Sequence, residues 1–135
     1  MSLATTITAL RTAIDTISGL RVYTDPPESI NEFPSAIVYA LSGTYEMGSA
    51  TLARSYHTLI IELYLNRQVL MQAVDNAKAW PPLVFDAINT AMLAGSLYVV
   101  ETGGKAAFSY RSGPLEYNKI DHFGVRFTVR LKEML

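Results

Sequence analysis

Two histidines, His57 and His122, are the chain's only imidazoles, so any metal or proton-transfer site would have to be built around them. Both fall in strand-like runs that are candidates to lie side by side. A metal would need a third ligand such as Glu62 or Asp121, and neither the histidine spacing nor a neighbouring motif provides one. Structural roles are predicted for both. Serine and threonine are plentiful, but there is no Gly-x-Ser-x-Gly elbow and no carboxylate spaced to orient a histidine base, which leaves acyl transfer unsupported. The carboxylates Asp25, Glu28 and Glu32 around Pro26-Pro27 offer oxygen ligands, yet lack the alternation and glycine of a calcium loop. They read as a solvated loop. Gly103-Gly104-Lys105 follows a strand as a phosphate loop would, but it lacks the earlier glycine, the hydroxyl after the lysine and the succeeding helix. It reads as a hairpin turn. With no cysteine in the chain, thiolate catalysis and cysteine-based zinc sites are excluded. Neither enzymatic activity nor a cofactor is expected.

What remains is the charge in the last strand-like run, His122 to Glu133. Phe123, Val125, Phe127, Val129 and Leu131 alternate with His122, Gly124, Arg126, Thr128, Arg130 and Lys132. Successive strand side chains point to opposite faces, so this run has an apolar core side and a basic outer side. Arg126, Arg130 and Lys132 would present cations at about 6.8 Å for each two-residue step. That spacing suits acidic groups of a neighbouring subunit or phosphates, and a solvent-facing side with no partner is the third possibility.

Composition limits the partners. At 135 residues the chain fits one domain spanning residues 1–135, large enough to bury a core. A net charge of −1 argues against a general nucleic-acid coat or polybasic membrane binder, leaving any basic role local. The amino terminus carries no secretory pattern and no run has the length of a membrane span, so a soluble cytosolic product is expected. Half the residues are apolar and 17% charged, against about 25% in ordinary soluble domains. Homo-oligomerisation is the simplest cover for the apolar surface this leaves.

The elements follow from periodicity. Leu3, Ile7, Leu10, Ile14 and Ile17 line one face of a helix over Ser2 to Ser18, with Gly19 as its carboxyl-terminal cap. Leu20 to Tyr23 is a short strand closed by Pro26-Pro27. Ala36 to Leu41, apolar on both faces, is a central strand. Gly43 to Thr51 is the flexible connection of a hairpin, and Leu52 to Asn66 is a long strand with apolar odd positions. Val69 to Ala79 is helical, Trp80-Pro81-Pro82 interrupts it, and a second helix runs from near Pro82 to Gly95. Leu97 to Thr102 and Lys105 to Ser112 flank the Gly103-Gly104 turn, and Gly113-Pro114 breaks the chain before the last strand. The fold class is α+β: a largely antiparallel or mixed sheet, packed by helices on one face, with a projecting β-hairpin.

In its order of segments the chain resembles the tail-terminator and head-to-tail joining (tail completion) proteins of long-tailed bacteriophages. The resemblance covers nearly the whole chain: the first helix, Leu20 to Pro27, Phe33-Pro34-Ser35-Ala36-Ile37-Val38, the glycine-bearing hairpin, the strand Tyr56 to Leu65, and Gly113 to Tyr117 leading into Phe123-Gly124-Val125. It implies a structural virion protein, assembled in the host bacterial cytoplasm, that forms a hexameric ring. The ring would cap the tail tube and meet neck or head-completion proteins, and genomic DNA would pass through its lumen with only transient, non-specific contact. Neck and minor tail proteins of the same fold group share these features. Two surfaces are expected to act. One is an assembly or luminal surface of Arg126, Arg130 and Lys132; the other is an interaction hairpin over Gly43 to Arg54 that includes Tyr45, Glu46, Met47 and Arg54. The rival class is a small ligand-binding domain or enzyme subunit with a pocket lined by Trp80, Tyr98 or Tyr110, and a nucleic-acid-binding module is the third.

Overall fold

A computed structural model describes residues 3–45, 55–65, 75–95, 97, 101–102, 105–106 and 108–132, with the side chains of 101–102, 105–106 and 132 not described. The elements in chain order are α1 (Leu3–Asp15), β1 (Arg21–Val22), β2 (Ser35–Tyr45), β3 (Ser55–Leu65), α2 (Trp80–Leu93), β4 (Glu101–Thr102), β5 (Lys105–Ala106), β6 (Phe108–Tyr117) and β7 (Ile120–Lys132). The five-stranded sheet has the order β1-β2-β3-β7-β6. All of its pairings are antiparallel except β1 with β2, so the sheet is mixed and the fold is α+β.

The helices cover one face. Leu10 and Ile14 of α1 and Val84 and Ile88 of α2 are buried against Val38, Leu59, Ile61, Leu63, Val125, Phe127 and Val129. Each such side chain contributes about 1.5–3 kcal/mol by leaving water. On α1 the threonines off this face satisfy themselves: the Thr8 and Thr12 hydroxyls donate to the carbonyls of Ala4 and Thr8, each at 2.9 Å. The helix ends at Asp15, earlier than Ser18, in a tightened turn where the Ile17 amide donates to the Ile14 carbonyl, and Gly19 leaves it at φ +83°. In α2, Pro81 and Pro82 occupy the first turn, where missing amides cost nothing, and Gly95 follows its end at φ +80°.

Four expectations need correction. First, β6 runs unbroken through Gly113 and Pro114, which pair with Gly124 and Phe123. It is an edge strand, where a proline gives up no obligatory ladder bond. The actual break is the two-residue turn Asn118-Lys119, with φ +47° and +69°, the geometry that matches strand twist in tight hairpins. Second, Gly43, Thr44 and Tyr45 are not a flexible connection. They continue β2 and pair with His57, Tyr56 and Ser55, after a register shift at Leu41. Third, the first strand shrinks to Arg21–Val22. Fourth, Thr102 pairs with Lys105 as the expected hairpin requires, but the returning strand expected over Lys105 to Ser112 is divided between two sheets, Lys105–Ala106 pairing with β4 and Phe108–Ser112 with β7, and Leu97 lies outside any strand. The helix expected over Val69 to Ala79 is described only from residue 75. Of the interaction hairpin, Glu46, Met47 and Arg54 lie outside the described residues.

Candidate assembly surface

The face of the sheet away from the helices is built from β3 positions Tyr56, Thr58, Ile60, Glu62 and Tyr64 and their β7 partners, and it changes character along its length. At one end it is a second, smaller core. Ile30, Ile37, Tyr64 and Leu115 are buried there, with Tyr23, Phe33, Tyr39 and Tyr117 packed against them. The loop between β1 and β2 forms the lid, fastened by the β6–β7 turn: the Tyr117 hydroxyl donates to the Pro27 carbonyl, and Asn118 Nδ2 donates to the Glu28 carbonyl at 2.8 Å. Burial pushes the Tyr117 phenol above its usual range. His122 belongs to this core. It is buried between the Phe33 ring, 5.6 Å away centre to centre, and the Tyr64 ring at 5.5 Å.

Next along this face is a carboxylate held by two phenols. Glu62 accepts from the Tyr39 hydroxyl at 2.8 Å and the Tyr64 hydroxyl at 2.5 Å, and Arg126 Nε lies 4.0 Å from it. Desolvation, and then the hydrogen bond to the carboxylate, push the Tyr39 phenol up to about 12. The same causes raise Tyr64 further. Both phenols stay protonated through the physiological range and so remain donors to the carboxylate.

The basic stripe occupies the remainder, and its members differ. Arg126 is half-buried, ion-paired with Glu62, and stands directly opposite Arg111 of β6. Arg130 is exposed, with its guanidinium 5.7 Å from the centre of the Tyr56 ring. Lys132 pairs with Tyr56 in the backbone register. Arg111 was not singled out from the sequence, because only the β6–β7 register puts it beside Arg126. The Tyr39, Glu62 and Tyr64 group was missed for the same reason. The single available clue was Glu62 on the wetter side of a strand otherwise rich in buried residues.

The histidines do not meet. His57 is buried on the helix side, its ring edge-on to Tyr45 at 5.3 Å, whereas His122 lies on the opposite face. Among the described residues no cluster of three or more His, Asp or Glu side chains is arranged to hold a metal ion. In the acidic loop Glu32 pairs at 3.5 Å with Arg21, both exposed. No helix among the described residues is long and apolar enough to cross a membrane.

A groove of about 810 Å³ opens on the helix side between α2 and β6, lined by Pro81, Pro82, Phe85, Phe108, Tyr110 and Phe123, with Lys78 and Ser112 at its edge. Phe85 and Tyr110 are 51% and 58% exposed, a large apolar area to leave in water beside β6, the last strand of the sheet among the described residues. Trp80, expected to share a pocket with Tyr110, lines a separate hollow with Phe33, Leu65 and Leu83. Tyr98 lies outside the described residues. The groove can take apolar groups by shape; its lining holds no carboxylate or imidazole to do chemistry on them.

Compared with known proteins, the chain matches no family model. No curated protein matches it significantly.

Proposed function

We propose that this chain is a structural virion protein that assembles into a ring, six copies by the resemblance of its segments, capping a phage tail tube and joining the tail to the neck of the head. The observation that carries the reading is the apolar surface around the α2–β6 groove, where Phe85 and Tyr110 stand exposed in a chain with only 17% charged residues. Surface of this kind beside an open strand edge suits burial against another protein. The Arg111, Arg126 and Arg130 group gives the opposite face a local positive character. It suits an acidic neighbour or a lumen through which DNA passes without being gripped.

The test is light scattering of the purified protein over a wide concentration range, followed by electron microscopy with and without tail tubes. Rings, free or seated on tube ends, are expected. A monomer that stays monomeric and leaves tube ends bare overturns the reading. The groove lends specific support to a second reading, a site for a small apolar ligand. Under that reading the monomer would retain such a molecule through purification, visible by native mass spectrometry.

A further inference from the structure

Among the described residues the sheet has two open edges, and they are complementary. On one side β6 is the last strand, and among the described residues no strand pairs with the outer side of Phe108–Ser112 before Pro114 interrupts the row of amides. On the other side β2 is eleven residues long, but among the described residues β1 covers it only at Ser35 and Ala36. Beyond the bulge at Leu41, residues Ser42–Tyr45 form a regular stretch that is exposed throughout. Natural edges are usually blunted by charge, proline or a bulge. The bulge and Pro114 bound these two stretches, yet Ser42–Tyr45 carries no charge and Phe108–Ser112 carries one, Arg111.

We propose that β2 of one copy pairs through Ser42–Tyr45 with β6 of the next through Phe108–Ser112, so that one continuous sheet runs around the ring. This rests on the ring reading above and names the contact that closes it. Three observations favour this pairing over a two-fold one. A two-fold contact through either strand covers one edge and leaves the other bare, whereas the head-to-tail contact covers both with one repeated interface. Three antiparallel steps separate β2 from β6, so the two strands run in opposite directions within a copy. A neighbour carried round by rotation about an axis roughly along the strands therefore presents β2 antiparallel to β6. Finally, Tyr45 lies on the helix side of its strand, against His57, and is 62% exposed. In a continuous sheet that is the side on which the neighbour's groove of Phe85, Phe108, Tyr110 and Phe123 opens, ready to receive the ring.

The chain has no cysteine, so introduced pairs report the contact without background. Ser42→Cys or Thr44→Cys, all on the helix-free side, is combined with Ser109→Cys or Arg111→Cys, so that the panel samples more than one register. Each double variant is oxidised in solution and after mixing with tail tubes, then run on a non-reducing gel; circular dichroism checks the fold. At least one combination should give a ladder of covalent multimers extending beyond the dimer, and the single-cysteine variants should stay monomeric. Single variants that form dimers would establish two-fold pairing and overturn the proposal. So would the absence of a ladder from every combination while the wild type forms rings, in which case the ring reading survives and only the edge contact falls. Absence of both ladder and rings, in solution and on tubes, removes the two together.

Discussion

Along β3, Leu59, Ile61 and Leu63 face the helices, while Ile60, Glu62 and Tyr64, one residue out of phase, face the other way. All but Glu62 are almost completely buried. On the helix side the burial is hydrocarbon against hydrocarbon, fixed by the two-residue period of three neighbouring strands and the three-to-four spacing of two helices. On the opposite side a loop lid, two phenols and one carboxylate do the covering. Apolar packing tolerates small changes of shape, but a partly buried carboxylate is sensitive to the loss of a donor. The first face is therefore suited to hold the fold, and the second to fix the cross-strand register and carry charge to a defined place.

The sharpest way to break this contrast is to remove a side chain from each face. Phe127 is fully buried on the helix side, against Phe108 and Tyr110. Phe127→Ala should cost about 3–5 kcal/mol through lost transfer energy and the cavity left behind. Arg130→Ala, on the exposed part of the other face, should change stability by no more than about 0.5 kcal/mol. Urea denaturation of the two variants measures both, and comparable losses would mean that the faces do not divide the work in this way.

The hydrocarbon face was open to sequence reading, because periodicity alone specifies it. Leu3, Ile7, Leu10 and Ile14 announce α1, the odd positions from His57 to Leu65 announce β3, and Phe123 to Leu131 announce β7. The second face was not, because its members come from segments far apart in sequence. Tyr39 joins Glu62 only through the β2–β3 register, Arg126 only through β3–β7, and the lid only through Tyr117 and Asn118. His122 shows the limit of alternation. It sits in phase with Arg126 and Arg130, yet it is buried, because a loop covers that end of the face and leaves the other end wet. Gly113-Pro114 misled for a related reason: proline excludes a central strand, and the sequence does not say which strand will lie at an edge.

A smaller effect separates the polar cluster from simple burial. Tyr64→Phe keeps the ring and its packing against Tyr117 and His122 and removes only the donor to Glu62. A hydrogen bond to a charged acceptor accounts for about 1.5–3 kcal/mol, so the denaturation midpoint should fall by a corresponding amount. The double variant with Tyr39→Phe should lose more than the two single losses added together, because Glu62 would then keep only Arg126 as a partner. If Tyr64→Phe is neutral, the carboxylate is served well enough without it, and the second face is held by its lid alone.

A further effect appears in the dependence on pH, which tests whether Tyr39 serves Glu62 as a protonated donor. The folded state raises this phenol from an ordinary value near 10 to about 12, first through desolvation and then through the bond to the carboxylate. A group whose folded pKa is raised contributes stability that is fully present below its unfolded pKa. That contribution is lost as pH climbs from about 10 through about 12, because the unfolded state gives up the proton first. Other tyrosines and the lysines ionise in the same window, so the useful quantity is the stability of the wild type minus that of Tyr39→Phe. This difference should be constant up to about pH 9.5 and then shrink steadily toward pH 12. A difference that stays flat across the window would mean that Tyr39 ionises alike in both states and that its hydroxyl, although 2.8 Å from Glu62, is not held there as a donor.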